Sequence, residues 1–137
     1  MIDKIKVVKG FINKSDANIL SDYAKANDKE FTEFGNGEKE FTFHASFSNL
    51  DILKMLNNYG QSVLSFVREN YEGPFPDFDS SKTHIARFTQ GFGMHEHFDS
   101  TKPNDIATLI YLNDDYAGGE IYFPEYDISI KPESGDL

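Results

Sequence analysis

Apolar positions in the first half of the chain fall into two stripes at helical spacing. Ile19, Leu20, Tyr23 and Ala24 form the first and predict a helix from about Ser15 to Ala26, with Asn13 or Ser15 as cap. Ile52, Leu53, Met55, Leu56, Tyr59, Val63, Leu64, Phe66 and Val67 form the second. They predict a helix over Leu50–Asn70 capped by Asn49, with Gly60 a weak point inside it. Ile52, Leu56, Val63 and Val67 are expected to face a sheet, because a stripe this wide must cover something. Ahead of the first stripe, Ile5, Val7 and Val8 suggest a short strand that stops near Gly10. Between the stripes, Phe31, Phe34, Phe41, Phe43 and Phe47 read as a hairpin or irregular extended segment, with Asn36-Gly37 as its turn.

The period changes after Ser81. Thr83–Phe88 reads as a strand, and Ile106–Leu112 is the strongest strand pattern in the chain. Ile121–Phe123 and Ile128–Ile130 are shorter strands bounded by Pro124 and Pro132. Tyr71–Ser81, with Gly73, Pro74 and Pro76, is a loop or lid. The order of periods predicts a single α+β domain over 1–137, with a helical and extended part over 1–81 and a strand-rich part over 82–137.

Composition narrows the chemistry. Lys and Arg number 13 against 23 Asp and Glu, a formal net charge of −10, which argues against a nucleic-acid-binding face. The same charge favours a neutral or basic substrate, such as a peptide. There is no cysteine, so thiolate metal sites, disulfides and cysteine nucleophiles are excluded. Residues 1–12 mix charge with apolar character, and no run approaches the roughly 20 apolar residues of a membrane span. A soluble, cytoplasmic protein with no membrane partner is the expectation.

The sharpest cluster of chemical groups is His95-Glu96-His97-Phe98-Asp99. On a strand, His97 and Asp99 point to the same side, and a histidine with a carboxylate suits non-heme Fe(II). By itself, His-x-Asp is equally at home in a solvated polar turn. His95 shares their parity, but three such residues spread over about 13 Å, which leaves it at the flank. Glu96 points away, and His44 and His84 are isolated. The phosphate-loop, dinucleotide, calcium-loop, zinc-peptidase and serine-hydrolase patterns are all absent from the sequence.

The run Arg87-Phe88-Thr89-Gln90-Gly91-Phe92-Gly93-Met94-His95-Glu96-His97-Phe98-Asp99 resembles the signature of the prolyl 4-hydroxylase-like Fe(II)- and 2-oxoglutarate-dependent dioxygenases. Leu109–Asn113, Gly118–Pro124 and Lys131-Pro132 with Gly135 are similar, in order and spacing, to three later motifs of that family. Phe88 and Met94 depart from it, standing where the family carries a tyrosine and an aromatic residue. The resemblance implies a double-stranded β-helix, a jelly roll of the cupin kind, with supporting N-terminal helices. It implies Fe(II) held by His97 and Asp99, and 2-oxoglutarate contacted by Tyr111 with Leu109 and Ile121 beside it. It further implies ascorbate as an accessory, and hydroxylation of a peptidyl proline or related substrate with release of succinate and CO2. Arg87 and Gly91 would serve structure.

The family places a distal histidine and a basic residue after the turn at 131–135. Asp136-Leu137 reads as the start of a strand with nothing to pair with, so a C-terminally incomplete barrel is expected. Two rival readings follow. One is a non-catalytic barrel that binds a peptide or small molecule; the other is an interaction fragment whose sheet a partner finishes.

Overall fold

The computed structural model describes residues 4–34, 39–43, 47–80, 83–91, 93–102 and 105–137, and the side chains of these segments other than 34 and 39–43. The chain divides into two compact units, Met1–Tyr23 with Thr108–Leu137, and Ala24–Ala107.

Helix α1 spans Lys14–Ala26, and Asn13 is the cap: its Oδ1 accepts from the Asp16 N–H at 2.8 Å, and its carbonyl accepts from the Ala17 N–H at 3.1 Å. The buried face runs through Ala17, Leu20, Ser21 and Ala24, a strict i, i+3, i+4, i+7 series. Ile19 lies off that series and is exposed, so the stripe is rotated from the one its apolar residues alone suggest.

Helix α2 spans Leu50–Asn70, the limits that its sequence predicts. Asn49 Oδ1 accepts from the N–H groups of Asp51 and Ile52, at 3.0 and 3.2 Å, and Tyr71 leaves the helix in an extended conformation. Ile52, Leu56 and Val67 are buried and Val63 is half-buried. The segment after α2 folds back along it. Arg68 Nη2 donates to the carbonyls of Phe75 and Pro76, at 3.3 Å each, and to Asp77 Oδ1 at 3.0 Å. Gly60 is explained by the same fold-back, because the Phe78 ring occupies the place of a Cβ there. The expected loop or lid is therefore strapped to the helix.

In the same unit, strands β1 (Thr32–Phe34), β2 (Lys39–Phe43) and β3 (His84–Phe88) form one antiparallel sheet in that order. Thr32 stands opposite Phe41, and Phe41 opposite Ala86. The Asn36-Gly37 turn and His44 lie outside the described residues. In the first unit, β4 (Ile121–Phe123) and β5 (Ile128–Ile130) form a separate antiparallel hairpin. Its turn is closed by bonds from Tyr126 N to the Phe123 carbonyl, at 3.1 Å, and from Tyr122 Oη to Asp127 Oδ1, at 3.0 Å. No helix among the described residues is long and apolar enough to cross a membrane.

This architecture corrects the expected double-stranded β-helix. A barrel needs continuous ladders that close on themselves, whereas the described strands are three to five residues long and fall into sheets of three and two. Both helices are longer than any strand. Ile106–Leu112, the strongest strand pattern, joins no ladder among the described residues, and only Tyr111 is paired, with Gly135 and Asp136.

The expectation that Asp136 and Leu137 lack a partner is also corrected. Val8 and Leu137 exchange backbone hydrogen bonds of 2.7 and 3.1 Å. The Gly135 carbonyl accepts from Ile12 N at 3.1 Å, and Gly135 N donates to the Tyr111 carbonyl at 2.7 Å. The Asp136 carboxylate organises this junction. It is 3% exposed and accepts from Lys9 Nζ at 2.7 Å, Gly10 N at 3.1 Å and Glu133 N at 2.9 Å. Burial by itself raises its pKa, but Lys9 and the two backbone donors outweigh that effect and hold it below the ordinary 3.8.

The junction sets measurable expectations. Asp136→Ala leaves two backbone donors and an ammonium without their acceptor, and should lower the unfolding free energy by about 2–4 kcal/mol in urea titrations. A carboxylate with a depressed folded pKa stabilises above its unfolded value. Wild-type stability should therefore fall as the pH drops below about 3.8, and Asp136→Asn should flatten that fall. Gly135→Ala should cost at least about 1–2 kcal/mol, because φ is +92° and the new Cβ would stand 2.5 Å from the Ile12 carbonyl oxygen, a backbone atom that cannot swing away.

Candidate functional site

His97 and Asp99 sit together in an exposed turn, not on a strand. The two side chains approach because His97 Nε2 lies 3.1 Å from Asp99 Oδ1, while Nδ1 lies 2.7 Å from the His95 carbonyl oxygen. Both ring nitrogens therefore face acceptors, and only an imidazolium satisfies both at once. His97 is about half exposed and Asp99 two-thirds exposed, so solvent screens the pair. His95 contributes its backbone here, and its side chain and that of Glu96 are exposed. Phe88, Met94 and Phe98 are exposed as well, at 56, 47 and 84%.

Arg87, at the end of β3, ties its unit together. Its Nη1 donates to the Ala24 carbonyl at 2.9 Å and to Asp28 Oδ1 at 2.5 Å, and its guanidinium carbon lies 4.1 Å from the centroid of the Phe31 ring. Glu30 adds a second clamp, its Oε1 accepting from Ser48 N and Oγ at 2.8 and 2.7 Å. The structural role expected for Arg87 has a physical basis in these contacts.

Tyr111, Leu109 and Ile121 belong to the other unit, together with a segment rich in acids. Tyr111 is half-buried, and burial followed by the neighbouring Tyr116 raises its phenol pKa, so it stays protonated at neutral pH. Leu109 is 57% exposed and Ile121 half-buried. From 108 to 115 the chain runs without a turn or bend. Thr108, Leu109 and Ile110 make no hydrogen bond with any described residue, whereas Tyr111 is anchored on both its N–H and its carbonyl.

Beyond Tyr111, Asp114 Oδ2 accepts from Ser134 N at 2.9 Å, and Asp115 Oδ1 accepts from Asn113 Nδ2 at 2.6 Å. Lys131 Nζ donates to the carbonyls of Tyr116 and Gly118 and sits 4.5 Å from the centroid of the Tyr116 ring. Burial raises the Tyr116 phenol pKa, and Asp114, Glu120 and Asp115 add to the rise, a sign that the three carboxylates share one patch. Sequence reasoning missed this clamp and the Asp136 junction. Lys131 and Asp136 flank the turn it did identify, but their partners are distant in the chain.

The dioxygenase reading is corrected here. A facial Fe(II) site needs three converging protein ligands, and the described residues contain no group of three or more His, Cys, Asp or Glu side chains able to hold a metal ion. With neither that cluster nor the barrel, Fe(II), 2-oxoglutarate and ascorbate lose their support, as does prolyl hydroxylation.

The two groups in this unit should differ in what they contribute to stability. Asp99→Asn breaks an exposed pair and should change the unfolding free energy by less than about 1 kcal/mol. Arg87→Lys should cost about 1–3 kcal/mol, since an ammonium cannot hold a carbonyl, a carboxylate and an aromatic face together. Thermal and urea denaturation of both variants checks the contrast.

No family model, no curated protein and no solved structure matches the chain.

Proposed function

We propose that the chain is a non-catalytic binding module that takes up an extended peptide segment of a partner protein along Thr108–Leu112, the peptide adding itself as a strand. The observation that carries this reading is the absence of hydrogen bonds at Thr108, Leu109 and Ile110 among the described residues. The run from Thr108 to Leu112 is made of residue types that favour strands and carries no charge. Without a ladder, its backbone groups are a template for another chain.

The geometry also favours one edge. In an extended chain, alternate residues direct N–H and C=O to opposite sides. Tyr111 uses both groups on Gly135 and Asp136, so Thr108 and Ile110 offer theirs on the other side. A peptide paired there would exchange backbone bonds with these two residues and lay alternate side chains against Leu109.

Titration of the isotopically labelled protein with a short peptide of alternating valine and threonine tests the reading. The amide signals of Thr108 and Ile110 should shift and their hydrogen exchange should slow. Thr108→Pro removes one outward donor at an exposed position. It should abolish binding in calorimetry while leaving the melting temperature nearly unchanged. Undiminished binding by Thr108→Pro would refute strand addition at this edge.

A further inference from the structure

Resting on the strand-addition reading, we infer that the partner segment is an apolar β-strand with lysine or arginine at its N-terminal end, paired antiparallel so that those cations lie beside Asp114, Asp115 and Glu120. The open run ends in Asn113-Asp114-Asp115, and all three carboxylate-bearing residues, Glu120 included, are exposed. Lys131, the cation among them, is already held by the carbonyls of Tyr116 and Gly118 and by the Tyr116 ring. The patch therefore keeps an excess of negative charge where an added strand would pass. The chain as a whole carries −10, which attracts a basic segment to that end and repels an acidic one.

The same charges argue against a second copy of this chain as the occupant. Antiparallel self-pairing centred on Ile110 sets Asp115 of one copy opposite Asp105 of the other, twice over by symmetry. Like charges directly opposed across a strand pair are destabilising. Antiparallel pairing is the more stable and more frequent arrangement for an added strand, and it brings the partner's N-terminal end to the acidic end of the run.

Three short peptides with the same valine–threonine core distinguish the possibilities: one with a lysine pair at the N-terminal end, one with the pair at the C-terminal end, and one with a glutamate pair at the N-terminal end. At low salt the first should bind about tenfold more tightly than the third, and the gap should narrow as salt is raised. The double variant Asp115→Asn, Glu120→Gln should close the gap, while the circular dichroism spectrum and melting temperature report its fold. Asp114 is left in place because it accepts from Ser134 N.

If all three peptides shift Thr108 and Ile110 with equal affinity, the charge inference fails and strand addition stands. Tighter binding of the second peptide than the first overturns the antiparallel placement. If no peptide moves those amides, strand addition itself fails and takes the inference with it. Concentration-dependent dimerisation through the same amides, seen by sedimentation, would make a second copy the occupant and overturn the proposal.

Discussion

A single buried carboxylate holds the first unit together. Asp136 gathers an ammonium and two backbone N–H groups from residues 9, 10 and 133, and so fixes the chain ahead of α1 against the turn near residue 135. Once it is placed, the neighbouring backbone has its partners: Leu137 with Val8, and Gly135 between Ile12 and Tyr111. A buried carboxylate left alone would carry a heavy desolvation cost. Here three donors offset that cost, so removing any one of them loosens the others' geometry. The anchoring of Tyr111 descends from the same junction, because its two backbone bonds end on Gly135 and Asp136.

The second unit uses another device for the same purpose. Its irregular stretches are held by side chains that satisfy backbone groups: Arg87 on the Ala24 carbonyl, Glu30 on the Ser48 N–H, and Arg68 on the carbonyls of Phe75 and Pro76. A guanidinium suits such work because several donors fan out from one rigid plane. Hydrophobic burial supplies the rest, through Phe47, Ile52, Leu56, Val67 and Ile85.

Local physics was legible in the sequence and distant pairing was not. Helix α2 lies where its stripe and its Asn49 cap put it, because both signals act within a few residues. The β4–β5 hairpin is legible for the same reason. Ile106–Leu112 has the composition of a strand, yet a ladder is a property of two segments, and composition describes only one. The signature around His97 misled in a related way. It brings His97 and Asp99 within 3.1 Å, but the motif cannot supply a third ligand or a barrel around them. Asp136 was invisible as a keystone because its donor at Gly10 stands 126 residues away.

That separation orders events during synthesis. The contacts of the second unit lie within residues 24–107 and are available once that stretch has left the ribosome. Residues 5–12 emerge first and must then wait, unpaired, until Gly135, Asp136 and Leu137 are made. Ring closure over so long a loop is entropically slow. During that interval Val7, Val8 and Ile12 are open to solvent and to other chains. The nascent protein thus passes through a stage in which its earliest residues are the last to find shelter, the stage at which a chaperone would have most to hold.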